Sequence, residues 1–173
     1  MMDFQRLYLE VRDKAFPEIH SKFIPNLKVH FMKSSDITGK IYYNYNNILA
    51  MKFSENTVKG VIAHELAHQV DFKRRGRSFL KKILDDYRCS RDEVYRRGFE
   101  READRITVER GYGKELLEAM KQTKKMFPKD RWKRYEAAHL SMKEVKNLIG
   151  KLGLIKRERR KKALKGQKKS NKL

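Results

Sequence analysis

Residues 57–72 read TVKGVIAHELAHQVDF, and this stretch decides the architecture. Val58, Val61, Ile62, Leu66 and Val70 recur at helical spacing and form one apolar stripe, which predicts a helix beginning near Thr57. His64 and His68 stand four residues apart, displaced around the helix from the centre of that stripe. Both imidazoles therefore project from one face toward a cleft and can share one metal ion. Glu65, next to the first of them, can reach a water bound to that ion and serve as general base.

A hydrolytic zinc usually keeps three protein ligands and one water, whose pKa it lowers to about 7. The third ligand is expected on the next long helical pattern, from about Arg91 to Arg110, where Val94, Tyr95, Phe99, Ala103 and Ile106 recur and Gly111 ends the run. Inside it lies EREAD at 100–104. Glu100 is the expected third ligand, and Asp104, one turn on along the same face, can accept the free N–H of a ligating histidine. Glu102 points elsewhere on the helix. The plain alternative is two satisfied histidines and two solvated carboxylates among Arg96, Arg97, Arg101 and Arg105.

HExxH followed by ExxAD resembles the gluzincin metallopeptidases, including the HtpX-type and CAAX-prenyl-endopeptidase families. Those relatives are integral membrane proteins, whereas no stretch here approaches the roughly 20 apolar residues that span a bilayer. The chain is therefore more similar to the small soluble minigluzincins, over roughly residues 1 to 126. The resemblance implies an α+β, zincin-like fold and one zinc ion per chain, held by His64, His68 and Glu100. It also implies Glu65 as base, Asp104 as supporting carboxylate, and a peptide or protein substrate. ImmA-type peptidases share HExxH and a downstream glutamate, but Asp104 replaces their asparagine-type ending.

Working outward from the motif, Phe4, Leu7, Tyr8, Val11 and Phe16 predict an amphipathic N-terminal helix that Pro17 interrupts. Leu27, Val29 and Phe31 alternate with Lys28, His30 and Met32, which predicts a strand; Ile41, Tyr43 and Tyr45 predict another. Asn46-Asn47 then reads as a hairpin turn, with ILAMKF at 48–53 as the returning strand. The expected sheet is small and antiparallel, and its ILAMKF edge beside the cleft can hold an extended peptide by main-chain hydrogen bonds.

Downstream, Leu116, Leu117 and Met120 predict a helix stopping near Pro128, and Ser141 with Glu144 has capping-box spacing ahead of Val145, Leu148 and Ile149. The organisation expected is a catalytic domain over 1–126, a helical extension over 127–150 and a flexible basic tail over 151–173. Trp132, Tyr135, Leu140 and Met142 in the extension need something to cover. One expectation is a zymogen-like plug over the cleft, with His139 or Glu136 approaching the metal's fourth position; the other is a helix that completes the core. The donor that stabilises the tetrahedral intermediate is expected among Tyr95, Arg97, Tyr112 and His139.

The composition is 39% hydrophobic and 38% charged, enough for one core beneath a highly charged surface. Net charge is +21, and residues 151–173 hold 11 Lys/Arg against the single Glu158, about half of that excess. Nucleic acid or another polyanion is accordingly an expected partner of the tail. A rival reading is a nucleic-acid-binding protein with a structural zinc, using the tail together with Lys73, Arg74, Arg75 and Arg77. Closed structural sites need four Cys or His ligands, which this chain does not readily supply. Cys89 is the only cysteine, which excludes an internal disulfide and fits a reducing cytoplasm; His20, His30 and Cys89 have no partner at a ligand spacing.

Overall fold

The computed structural model describes residues 2–76 and 78–155. Helix α1 (Phe4–Ala15) is followed by strands β1 (Lys22–Pro25), β2 (Met32–Ser35) and β3 (Lys40–Tyr43), then helices α2 (Tyr45–Ala50), α3 (Glu55–Arg75), α4 (Phe79–Arg91), α5 (Glu93–Glu109), α6 (Gly113–Met126) and α7 (Lys129–Ala138). Residues 142–155 form an eighth helix, α8. The fold is α+β, and among the described residues no helix is long and apolar enough to cross a membrane. The tail proposed for 151–173 begins inside α8; residues 156–173 lie outside the described residues.

The long helices form where their caps and stripes direct. Ser54 caps α3 by accepting from the Thr57 N–H at 3.1 Å, and Gly76 ends it in the left-handed region at φ 53°. Asp92 caps α5 by accepting from the N–H groups of Val94 and Tyr95. Val58, Ile62, Leu66 and Val70 bury the stripe of α3 in the main core with Leu7, Tyr8 and Val11 of α1 and Ile41 of β3.

The sheet corrects the antiparallel expectation: its order is β1-β3-β2, with β1 parallel and β2 antiparallel to β3. Two asparagines explain why alternation misled. Asn44 donates through Nδ2 to the carbonyls of Leu27 and Val29, at 2.9 Å each, while Asn26 accepts from the Lys28 N–H at 2.9 Å. Side-chain amides thus satisfy the backbone of 27–30 as a turn, leaving Leu27 57% exposed, and the strand begins only at Met32. Asn44 also caps α2, accepting from the Asn47 N–H, so Asn46-Asn47 is no hairpin turn and ILAMKF is helix and turn instead of strand. The edge strand at the cleft is β2.

Helix α6 crosses α3 at close range because Gly60 lacks a side chain: a methyl there would collide with the backbone of Glu115 and Leu116. Beyond it, Trp132, Leu140 and Val145 of the C-terminal region form a second buried cluster with Val108 of α5 and Leu116 and Met120 of α6. The turn into α8 is a reciprocal capping box. Ser141 N–H donates to Glu144 at 2.8 Å, and Glu144 N–H donates to Ser141 Oγ at 3.3 Å.

Two stability outcomes follow from these contacts. Gly60→Ala should destabilise the protein by about 1–3 kcal/mol, since backbone cannot move aside as a flexible side chain would; an unchanged thermal midpoint would refute the close packing. The Ser141 backbone N–H, and after it Arg101, hold Glu144 down to about 2 from its ordinary 4.5. A depressed carboxyl adds stability above its unfolded value, so this increment should be lost as pH falls from about 4.5 toward 2. Glu144→Gln should cost about 0.5–1 kcal/mol at neutral pH and flatten that acid limb in thermal unfolding.

Candidate metal centre

Helices α3 and α5 run side by side and present their polar edges to one point. His64 and His68, one turn apart on α3, bring their Nε2 atoms to 3.1 Å from each other. Glu100 on α5 sets Oε2 3.2 Å from His64 Nε2 and 3.3 Å from His68 Nε2. The residues read from the two motifs therefore form a near-equilateral triangle of donor atoms, and His64 and His68 are both buried.

That triangle suits a cation better than it suits hydrogen bonds. Each ring nitrogen either carries a proton or offers a lone pair, so no placement of protons makes hydrogen bonds of all three contacts. A tetrahedral zinc with bonds of about 2.0–2.1 Å sets its ligand atoms about 3.3–3.4 Å apart, close to the spacing found. His64, His68 and Glu100 form a group that could hold a metal ion.

Asp104 lies one turn after Glu100 and is wholly buried. Its Oδ1 is 2.9 Å from His64 Nδ1, at an angle short of a straight hydrogen bond, and its Oδ2 accepts from the Leu140 backbone N–H at 2.9 Å and lies 3.2 Å from His139 Nδ1. His139 thus reaches the site, with its Nε2 3.6 Å from Glu100 Oε2. His64, Asp104 and His139 make a second group able to hold a metal, but the contact of Asp104 with both rings at Nδ1 is also what orients ligating histidines in metal sites.

Charge in the cluster is strongly shifted. Burial works against a charged ring at His64, yet Asp104 and Glu100 outweigh it and hold its pKa well above 6.5. Burial likewise works against the Glu100 carboxylate, and His68, His64 and His139 hold it well below 4.5. Asp104 is depressed in the same way: burial is outweighed by His139 and His64. The common sense of these shifts is a site that stabilises positive charge.

Glu65 shares the helix turn but not the triangle. Its Oε2 accepts from the Ser34 backbone N–H of β2 at 2.6 Å, and Ser34 Oγ donates to the Glu65 carbonyl at 2.6 Å. This fastens the carboxylate to the edge strand. Two cavities meet there. One, of about 370 Å3, lies between β2 and α4 and has Glu65, His68 and Glu100 among its lining. The other, of about 270 Å3, lies beneath α7, where Phe31, Phe127, Tyr135 and His139 join His64, Glu65 and Glu100.

Of the other expected residues, Tyr95 donates to Asp85 of α4, Tyr112 is buried in the main core and Arg97 is exposed. Glu102 pairs with Arg105, Glu136 and His20 are exposed, His30 rests against Phe31, and Cys89 lines the larger cavity. Tyr135 was expected only as an apolar surface. It stacks on His139 at 4.0 Å, and burial, followed by the charges of Asp104, Glu100 and Glu65, raises its hydroxyl well above 10, so it stays protonated. The signal for it was its place one turn before His139 on the same helix face. No protein-family model, curated protein or solved structure matches the chain.

Proposed function

We propose that the chain is a zinc-dependent endopeptidase of gluzincin type, with one zinc per molecule. The observation that carries this reading is the triangle of His64, His68 and Glu100, with Glu65 anchored on the same helix turn at the meeting of two cavities. His64, His68 and Glu100 would hold the zinc, which would supply Lewis acidity and lower the pKa of a water to about 7.

The chain's own residues do the rest. Ser34 N–H holds one oxygen of Glu65, which leaves the other to take a proton from the attacking water and pass it to the leaving amine. Asp104 keeps the His64 ring oriented through Nδ1 and sets His139 in the same manner. His139 and Tyr135, which line the cavity on the α7 side, are the donors this reading assigns to negative charge developing on the carbonyl oxygen. Strand β2, paired to β3 on one side only, offers its other edge to an extended substrate. Helix α7 restrains access by narrowing this cleft. Because Trp132, Leu140 and Val145 also build the second core cluster, the restraint is part of the fold and not a separable segment.

Metal analysis and peptide cleavage test this reading together. Purified protein should carry about one zinc per chain, and His64→Ala, His68→Ala and Glu100→Ala should each lose most of it; full occupancy in Glu100→Ala would remove the third ligand from the scheme. Glu65→Gln should keep zinc while hydrolysis drops by roughly 10²- to 10⁴-fold, the usual size of a lost acid–base group. Asp104→Asn should weaken zinc affinity about 10- to 100-fold in a chelator titration, and an unchanged affinity would argue that Asp104 only packs.

A further inference from the structure

Helix α7 carries a second feature toward the site. Arg131, Arg134, Tyr135, Ala138 and His139 recur at spacings of three and four, so they share one face. That face borders a groove of about 560 Å3 whose outer part is lined by Arg131 and Arg134 with Arg96 of α5, and whose inner end is Glu100, Tyr135 and His139. Three arginines therefore line a path that ends at the candidate metal centre.

From Arg101 to Arg110 the arginines are paired. Arg101 pairs with Glu144, Arg105 with Glu102, and Arg110 with Glu18 at 2.5 Å. Among the described residues, Arg131 and Arg134 have no carboxylate partner; Arg131 lies over the Phe127 ring at 4.4 Å, and Arg96 reaches only Glu93, at 4.0 Å. The cavity on the opposite side is mixed, with Asp36, Asp85 and Asp86 set against Lys33, Lys82 and the same Arg96 in its wall. The outer part of the α7 groove, by contrast, has no carboxylate among its described lining.

We propose that this groove binds acidic side chains of the substrate, so that the chain selects peptides with Asp or Glu on one side of the cleaved bond. The proposal rests on the peptidase reading and names its substrate class. A guanidinium presents a planar fork that matches a carboxylate, and three of them confined to one groove repel one another until an anion enters. A peptide fits better than a nucleic acid, because the inner end of the groove holds Glu100, with Asp104 and Glu65 beside it. A chain of phosphates would be driven off there, whereas a peptide places a neutral backbone at the centre and its carboxylates further out.

The test uses the full, zinc-loaded chain and a randomised peptide library with amidated C-termini, so that carboxylates come only from side chains. Cut sites read by mass spectrometry should be enriched in Asp and Glu on one side. For a cut sequence and its Glu→Gln counterpart, kcat/KM should differ by about tenfold at low salt and converge at 0.5 M salt, about what partly screened charge pairs reach together. The double variant R131E/R134E, altered only at exposed positions, should prefer Lys or Arg instead. Cleavage with no acidic enrichment, or the same enrichment in the variant, would overturn the groove assignment. If no peptide is cut, the hydrolase reading fails separately, and fluorescence anisotropy of a labelled, amidated oligoglutamate on Glu65→Gln protein still decides the groove: binding about tenfold weaker with R131E/R134E added supports it, and equal binding overturns it. Tighter binding of a single-stranded oligonucleotide through the same two arginines also overturns it.

Discussion

The carboxylate of Asp104 is the interaction on which the rest of the structure depends. It is wholly buried, and an unpaired carboxylate in that position would cost several kcal/mol. The cost is offset by three partners from two distant parts of the chain: His64 on α3, and His139 and the Leu140 N–H at the end of α7. One side chain of α5 therefore fastens the motif helix and the C-terminal region to the same point. The second core cluster and the histidine rings are thereby tied through one carboxylate, since Leu140 of that cluster donates its N–H to Asp104.

Helix packing sets the precision of the triangle that Asp104 supports. Gly60 lets α6 approach α3 at backbone distance, while Val58, Ile62 and Leu66 lock the opposite side of α3 into the main core. The polar edge with His64 and His68 is left no freedom to rotate, and Glu100 comes from a neighbouring helix held just as firmly. Donor atoms on rigid helices keep separations of 3.1–3.3 Å without a loop having to close on them.

How much of this was legible in the sequence depended on the range of the interaction responsible. HELAH and EREAD were readable because spacings of four fix a shared helix face locally, and Ser141 with Glu144 because a capping box is closed within four residues. The strands were misread where Asn26 and Asn44 supply hydrogen bonds that alternation of apolar residues does not encode; Asn44, as the cap of α2, also turned an expected hairpin into a short helix and a turn. Helix α4 escaped notice although Ser78 opens it. Leu80, Ile83, Leu84 and Tyr87 recur there at helical spacing, and the structure leaves all four exposed. Tyr135 and the contact of His139 with Asp104 lie at the far limit, since a separation of 35 residues leaves no local pattern.

Electrostatics divides the molecule in a way that composition alone conceals. The chain carries a net charge of +21, yet three carboxylates gather at the site, Glu65 and Asp104 buried and Glu100 partly so, where like charges repel strongly. Such a cluster persists only if positive charge is supplied at its centre. His64 meets part of that need, which is why its proton is held so firmly, and a divalent cation meets it more fully while releasing the ring nitrogen to act as ligand. The exterior has the opposite requirement, because excess arginine and lysine need anions from outside. On the proposed reading the two requirements are complementary: the interior draws a cation that activates the reaction, and the groove on α7 draws the acidic chain on which it acts.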